Sequence, residues 1–349
     1  MSRSTTMQRG KPLSQPPMRD KAKWTILVVL LCLTLIISVW GIVLGNSEIR
    51  VTAIPDAIFR YDGTREHLLV MAIRLPRILA GLLAGCALAV SGAIMQAVTG
   101  NPLASPGLLG VNAGAAFAVV VVMTLFGVGF GDIYVWFAFA GAGIAALLVY
   151  TLGLLGTTGH SMVRLVLAGA VVGTFLTAMT SAILIFDQST LDTVRLWTAG
   201  SISGRTMGQV KAVAPYILCS LAASLLLGRH LMALSLGNDA ARALGQNTFF
   251  WRSIAICIAV LLSGGAVALA GPIGFVGLIV PHIVRLTTGQ DYRWIIPLSA
   301  IGGALLVVAA DAMGRLLFAA QGFPVGVTMA AIGAPFFIWL ARYRVGSAA

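Results

Sequence analysis

The stretch RLPRILAGLLAGCALAVSGAIMQAVTGNPLASPGLLGVNAGAA, residues 74–116, decides the fold. Arg74 and Arg77 flank a proline, and no charged residue follows in the rest of the stretch. A helical run rich in small residues is interrupted at Asn101-Pro102 and again at Ser105-Pro106-Gly107, and an apolar run then resumes. A non-helical turn at membrane depth is tolerated only where it is buried in protein or lines a cavity. The stretch therefore predicts two membrane helices joined by an ordered turn, as in a transport pathway.

The composition of the whole chain agrees with an integral membrane protein. Of its 349 residues, 58% are hydrophobic and only 10% are charged, whereas soluble domains carry about 25% charged residues. The 40 glycines suit helices that pack closely through small faces. The net charge of +12 is expected from basic residues that collect in cytoplasmic loops. No basic stripe with interleaved aromatic residues is present, so the sequence does not predict a nucleic-acid partner.

Six segments in one order resemble a known family. They are residues 74–116 and the later segments RLWTAGSISG (195–204), LSLGNDAARALG (234–245), GPIGFVGLIVPHIVRL (271–286), DAMGR (311–315) and FPVGVTMAAIGAPFFIWL (323–340). Together they are similar to the membrane permeases of type II ABC importers, which import iron–siderophores, haem or cobalamin. The resemblance extends from about residue 68 onward and implies an all-α polytopic fold.

Uncharged apolar runs long enough to cross a bilayer mark the spans. Length alone allows eight to eleven spans, and the resemblance implies ten. We predict spans at 24–45, 74–98, 107–127, 132–155, 164–186, 207–228, 249–270, 275–288, 294–316 and 325–342. A disordered, basic cytosolic tail (1–23) precedes a single permease domain (24–345), and the first span is expected to be a retained helix and not a cleaved signal peptide.

The distribution of charge predicts the orientation in the membrane. With ten spans and a cytosolic N-terminus, more than half of the 23 Lys and Arg residues lie on the inner side, and most acidic residues lie on the outer side. We therefore expect a multi-pass protein of a bacterial inner or plasma membrane with both termini in the cytosol.

An internal repeat relates two of the predicted spans. Residues 82–94 (LLAGCALAVSGAI) and 261–273 (LLSGGAVALAGPI) are identical at seven of thirteen positions without a gap. The predicted topology runs these spans in opposite directions, as in the inverted repeats of transporters, here relating helices 2–5 to helices 7–10. Chance similarity between two helices rich in Gly, Ala and Leu is the alternative.

The sequence predicts a transport subunit without chemistry of its own. No GK[ST] phosphate-binding loop, catalytic constellation or metal-ligand spacing is present, so we expect neither enzymatic activity nor a cofactor. The resemblance implies a permease that works by alternating access at the interface with a second, identical or homologous permease subunit. It also implies two cytosolic ABC ATPase subunits, which hydrolyse the ATP, and an extracytoplasmic substrate-binding protein.

Segment 229–248 is the most polar interior stretch and lies between helices 6 and 7, on the predicted inner side. Asn238 or Asp239 can cap a short helix there, and Leu244-Gly245 can end it. The resemblance implies that this is a coupling helix docked in a groove of the ATPase; an ordinary solvated loop is the alternative. The candidate ATPase-coupling residues are Leu236, Gly237, Asp239, Ala241, Arg242, Leu244 and Gly245.

The resemblance assigns three further groups of residues. Arg74, Arg77 and Arg315 lie near the outer ends of helices 2 and 9, where related permeases receive acidic residues of the binding protein; snorkelling to lipid headgroups is the alternative. Asp311 lies four residues before Arg315 and is expected to pair with it. The turn between helices 4 and 5 is the expected cytoplasmic gate, and polar or flexible side chains are expected to line the pathway. The gate residues are Ser161, Met162 and Val163, and the pathway residues are Gln96, Asn101, Met179 and Ser181.

The cargo stays open at this point. A ferric siderophore is favoured because it is the commonest cargo of the family that the chain resembles, with cobalamin and haem as alternatives. An ion-coupled secondary transporter would need ionisable residues near the midplane, for which only Asp311 and His282 are candidates. A membrane-embedded enzyme would need clustered catalytic groups, and the sequence offers none.

Overall fold

The computed structural model of the chain describes residues 20–44, 49–127, 133–154, 162–318 and 323–346. These residues form helices and connecting turns, and no strand occurs among them. The helices are α1 (Asp20–Val43), α2 (Ala53–Phe59), α3 (Arg65–Leu69), α4 (Leu75–Thr99), α5 (Val111–Phe126), α6 (Tyr134–Leu154), α7 (Met162–Phe186), α8 (Gln188–Thr198), α9 (Met207–Leu226), α10 (Gly228–Ser235), α11 (Asn238–Ala243), α12 (Thr248–Ala270), α13 (Val276–Thr288), α14 (Tyr292–Phe318) and α15 (Val325–Gly346).

Ten of these helices correspond to the ten predicted spans. In the described ranges, seven are long and apolar enough to cross a membrane, and α5, α13 and α15 are shorter apolar helices. The predicted all-α polytopic fold is therefore confirmed. The second predicted span begins earlier than expected, because α3 continues through a π-helical turn (Val70–Arg74) into α4 and makes one helical segment from Arg65 to Thr99. The connecting helices α2, α3, α8 and α10 were not predicted.

Both predicted interruptions in residues 74–116 are present. Helix α4 ends at Gly100, which has a left-handed φ of 62°, and the side chain of Asn101 accepts a hydrogen bond from the amide of Leu103 (2.9 Å). A short 3-10 turn (Pro106–Leu109) then leads into α5. The turn is covered by α7, since a Cβ on Gly169 would lie 1.7 Å from the carbonyl oxygen of Leu108. The contact of α7 with Leu108 fits the expectation that such a turn is covered by protein, although Asn101, Leu103 and Gly107 are exposed.

A second irregular segment separates α12 from α13. Gly271 ends α12 with a φ of 69°, and Phe275 precedes α13 with the same φ of 69°, which is uncommon for a residue with a side chain. The Phe275 side chain lies directly against Gly333 of α15, where an added Cβ would be 2.3 Å from Cγ of the ring. A break thus follows each copy of the internal repeat.

Helix α4 is the central, most enclosed helix of the bundle. It packs against α12, α13 and α14, and glycines allow the backbones to touch. A Cβ on Gly85 would lie 2.3 Å from the Gly303 carbonyl oxygen of α14, and one on Gly92 would lie 2.1 Å from the Gly277 carbonyl oxygen of α13. Small residues at crossing points are the usual means of close helix association in membranes.

Contacts between helices define two ends of the bundle. Trp24 of α1 packs on Trp294 of α14 (5.1 Å between ring centroids), at what we call the Trp24 end. At the opposite end, Arg315 of α14 reaches the carbonyl oxygen of Leu44 after α1 (2.8 Å); since Arg77 is also there, we call it the Arg77 end.

The two repeat copies run in opposite directions between these ends. Helix α4 begins at the Arg77 end, near Asp311. Helix α10 lies at the Trp24 end, because its Gly228 contacts Arg293, the neighbour of Trp294. Helix α12 follows α10 and the short α11 in the chain, so it begins at the same end. These opposite directions are what an inverted repeat of helices 2–5 and 7–10 requires.

Candidate functional site

The predicted coupling segment forms two short helices, α10 and α11, at the Trp24 end. Gly237, with a φ of 100°, separates them and is the N-cap of α11, so the helix begins at Asn238 and the predicted cap at Asn238 or Asp239 is one or two residues late. Leu244 is the C-cap, and Gly245 (φ of 77°) turns the chain away, as predicted. Both glycines occupy conformations that side-chain-bearing residues rarely adopt.

The seven predicted coupling residues divide into an outer face and one anchor. Leu236 and Leu244 expose 61% and 68% of their surface, a large fraction for apolar side chains. Asp239 and Arg242 are also exposed, whereas Ala241 is fully buried beneath them. Exposed leucines beside charged groups are suited to a protein contact.

Contacts with α12 and within the coupling segment itself hold the segment in place. Arg252 Nη2 donates a hydrogen bond to Oδ1 of Asn238 (2.7 Å), and Gln246 Nε2 donates one to the carbonyl oxygen of His230 (3.3 Å). The imidazole of His230 stacks on Trp251 with ring centroids 3.4 Å apart. Burial lowers the pKa of His230 below its usual value of 6.5, and the charge of Arg229 lowers it further. The neutral imidazole is therefore the form that stacks.

The three predicted docking arginines form a buried charge cluster at the Arg77 end. Arg77 pairs with Asp311 through Nε (3.1 Å) and Nη2 (2.7 Å), which joins α4 to α14. Arg315 pairs with the same carboxylate at 3.2 Å, so the pairing expected from the four-residue spacing is confirmed. The side chains of Arg77 and Arg315 are only 11% and 8% exposed, and that of Asp311 is 1% exposed.

Two of these arginines, Arg74 and Arg315, also cap α1. Arg74 Nη1 and Arg315 Nη1 both donate to the carbonyl oxygen of Leu44 (2.5 and 2.8 Å), and Arg315 donates to that of Gly41 as well (2.9 Å). These contacts satisfy carbonyl groups that a helix end leaves open. The side chains therefore have an internal structural role that the sequence reasoning missed, while their contact with a binding protein stays a prediction. Other basic side chains at this end are exposed, namely Arg50, Arg60, Arg65 and Arg195, whereas Arg205 is half-buried.

The predicted gate falls partly outside the described residues. Ser161 lies there entirely, and Met162 is described only as the first residue of α7. Val163 is 74% exposed and begins a stripe along α7. The stripe consists of apolar residues spaced four apart, each with 39% to 74% of its surface exposed. Its members are Val163, Leu167, Val171, Phe175 and Met179.

The predicted pathway residues lie in three separate places. Met179 belongs to the exposed α7 stripe, and Ser181, next to it, lines a cavity of about 430 Å³ together with Asn112 and Thr180. Gln96 is buried at the Trp24 end, where it lines a different cavity, of about 300 Å³. Asn101 is exposed in the turn after α4. The structure of the single chain does not bring these four residues together.

Thr174, Thr177 and Ser181 form a polar line on a different face of α7 from the exposed stripe. All three are exposed, and three or four residues separate each from the next, so they share one face of the helix. This combination of exposed apolar and hydroxyl side chains was only partly recognised from the sequence, although the three-to-four-residue spacing could have revealed it.

These features define a polytopic membrane permease with an external helical segment at one end. The model of the FecCD transport family matches residues 30–343, so the chain belongs to the FecCD transport family.

Individual relatives share both sequence and fold with the chain. The ferric enterobactin transport system permease protein FepD of Escherichia coli (strain K12) is 40% identical over 315 residues, covering 90% of this chain and 94% of the relative. The vitamin B12 import system permease protein BtuC of Shigella sonnei is 38% identical over 335 residues, covering 94% of this chain and 97% of the relative. A solved structure described as an inward-facing conformation of a metal-chelate type ABC transporter superposes with a TM-score of 0.79 at 27% identity, covering 92% of this chain and 99% of the other.

Proposed function

We propose that the chain is the transmembrane permease subunit of an ATP-driven, binding-protein-dependent importer of ferric siderophores. The observation that carries this proposal is the family match over residues 30–343, together with relatives named as iron(3+)-hydroxamate and ferric enterobactin permeases. In this proposal the permease itself carries out no chemistry, and two cytosolic ABC ATPase subunits hydrolyse the ATP.

Cobalamin or haem is the alternative cargo of the same architecture. The vitamin B12 permease BtuC is 38% identical to the chain and the enterobactin permease FepD is 40% identical, so overall similarity favours neither cargo. We retain the ferric siderophore because most of the relatives cited are named for ferric chelates.

The pathway lies, in this proposal, between two permease subunits that are identical or homologous. The line of Thr174, Thr177 and Ser181 on α7 supports it, because hydroxyl groups on an exposed face suit a water-filled path better than lipid. Met179 and Ser181 would then line the path, and Val163 with Ser161 and Met162 would close it at the Trp24 end as an apolar gate. Rocking of the two subunits would alternate access.

Helices α10 and α11 are the proposed docking site for the ATPase. Leu236 and Leu244 would enter a groove of the ATPase. The hydrogen bond from Arg252 of the membrane helix α12 to Asn238 of α11 would then transmit a displacement of α11 to α12. The Trp24 end is then cytosolic, which agrees with the predicted cytosolic termini.

The Arg77 end is the proposed docking site of the extracytoplasmic binding protein. Arg74, Arg77 and Arg315 carry three positive charges against the single Asp311 carboxylate, and this excess would attract acidic side chains. Because Arg77 and Arg315 are enclosed, the first contact would fall on exposed arginines around them.

Uptake by whole cells tests the cargo. A strain lacking this gene, alone or complemented, is given radioactive iron as a hydroxamate or catecholate siderophore or as haem, or is given labelled cobalamin. We expect uptake of one ferric siderophore to depend on the gene and to stop when cellular ATP is depleted. Gene-dependent uptake of cobalamin alone would overturn the cargo, and uptake that follows the proton gradient without ATP would favour a secondary transporter.

A further inference from the structure

A polar cavity lies at the Trp24 end, where α4 and α13 end and α14 begins. Its volume is about 300 Å³, and the side chains that carry its chemistry are Gln96, Ser235, His282, Arg285, Gln290 and Tyr292. Arg285 brings a positive charge, and no Asp or Glu is among the described residues that line the cavity.

The guanidinium of Arg285 is held in place by neutral groups. Its Nη2 donates a hydrogen bond to Oε1 of Gln96, whose Nε2 in turn donates to the carbonyl oxygen of Gly277 (3.0 Å). The Tyr292 side chain, only 2% exposed, interacts with the same guanidinium. Gln96 is thus fixed with its oxygen towards the arginine, so the cavity presents an oriented cation.

Arg285 lacks a counter-ion within the described part of the chain. No carboxylate there forms an ion pair with it, and its Nε is buried without a hydrogen-bond partner. Arginine stays protonated in proteins, and a largely enclosed charge without a partner is unfavourable. The remaining donors and the adjoining cavity suit an anion with two or more oxygens.

The cavity lies at the level expected for lipid headgroups. Tyr292 is two residues before Trp294, which packs edge-on against the exposed Trp24, and paired tryptophans at helix ends mark the membrane–water interface. Leu286 also lines the cavity and is 67% exposed. An apolar side chain beside the cation offers a surface to an acyl chain.

We propose that this cavity binds the phosphate of an anionic membrane lipid. Arg285 pairs with the phosphate oxygens, Gln290 and Ser235 contact the polar part of the headgroup, and an acyl chain runs along Leu286. Basic pockets between membrane helices bind acidic headgroups in this way. The site does not depend on the identity of the cargo.

Thermal unfolding of the purified full chain in detergent, with added lipid, tests the proposal. Phosphatidylglycerol is compared with phosphatidylcholine of the same acyl chains and with inorganic phosphate. We expect phosphatidylglycerol alone to raise the unfolding temperature by several degrees. An equal rise with inorganic phosphate would overturn the lipid assignment and leave a soluble anion as the ligand, and an equal rise with phosphatidylcholine would overturn the anion site altogether.

Two variants assign the effect to the cavity. Arg285→Gln is expected to abolish the shift, whereas Arg293→Gln, an exposed arginine at the same end that pairs with Asp291, is expected to keep it. Gln290→Glu places a negative charge at the exposed edge of the cavity without altering the contact between Gln96 and Arg285, so it is expected to reduce the shift strongly even if Arg285→Gln fails to fold. An undiminished shift in Gln290→Glu and in folded Arg285→Gln would overturn the proposal.

Discussion

At the scale of single residues, Asp311 is the most consequential side chain. It is almost fully buried and is the shared partner of Arg77 and Arg315, which themselves cap α1 or join α4 to α14. Removing one member of a buried charge network leaves the others without compensation. The integrity of the Arg77 end therefore depends on one carboxylate.

Asp311→Asn is expected to destabilise the protein by about 3–5 kcal/mol, the usual cost of breaking a buried ion pair. Thermal unfolding in detergent measures it. Asp192→Asn is the matched control, because Asp192 also pairs with an arginine, Arg195, but both side chains are more than 60% exposed. The control is expected to unfold like the wild type, and equal effects of the two substitutions would contradict the structural role of Asp311.

At the scale of helices, the close contact of α4 with α13 rests on glycine. Gly92→Ala would place a methyl group 2.1 Å from the Gly277 carbonyl oxygen, so the helices must separate, at an expected cost of about 1–3 kcal/mol. Gly143→Ala in α6 is the control, since no atom lies within 4 Å of its added Cβ. Thermal unfolding should separate the two variants clearly; similar unfolding temperatures would mean that the crossing tolerates a methyl group.

The coupling segment makes a second prediction at this scale. Leu244→Asp is expected to release the ATPase from the purified complex, because a charge would replace an exposed apolar contact. Phe59→Asp is the control, because Phe59 is also a highly exposed apolar side chain (84% of its surface) but lies on α2, at the Arg77 end. This control is expected to leave ATPase binding unchanged. Co-purification of the subunits reports both. Retention of the ATPase by Leu244→Asp would show that docking occurs elsewhere.

The stacked His230 gives the coupling segment a pH dependence. Because burial lowers the pKa of His230 in the folded state, the unfolded segment binds more protons than the folded one, and stability falls as the pH drops below 6.5. The protection factors of amides in α10 and α11, which are the intrinsic exchange rates divided by the observed rates at the same pH, should therefore decrease from about pH 7 towards about pH 5.5. His230→Gln should remove most of this pH dependence. If the pH dependence stays the same in that variant, a group other than His230 causes it.

At the scale of the whole molecule, the orientation of the two ends can be tested directly. In a chain whose four native cysteines are replaced by alanine, Asp239→Cys in α11 should react with a membrane-impermeant maleimide only after the cells are opened. Asp56→Cys in α2 should react in cells whose plasma membrane is intact. The reverse pattern would invert the proposed topology.

Much of the architecture could be predicted because local chemistry determines it. The breaks after α4 and α12 follow from glycine and proline, which act on their own stretch of backbone, and the spans follow from continuous apolar runs. The pair of Asp311 and Arg315 was predictable because helical geometry places residues four apart side by side.

The charge networks could not be predicted because they join distant parts of the chain. Arg77 and Asp311 are 234 residues apart, and Gln96 and Arg285 are 189 residues apart. Nothing in either local pattern indicates the partner. For the same reason, the contact of Gln96 with α13 was not predicted, and its place in the transport path stays a prediction.

The capping of α1 has a consequence for how the protein is made. The carbonyl oxygen of Leu44 accepts hydrogen bonds from both Arg74 and Arg315. The carbonyl oxygen of Gly41, by contrast, accepts its side-chain hydrogen bond from Arg315, which is synthesised 274 residues later. During translation, the end of α1 stays without this partner until α14 has entered the bilayer. A chain whose synthesis stops before α14 would therefore keep a first helix whose Gly41 carbonyl has no arginine donor. The end of α1 is thus completed by a part of the chain that is made long after it.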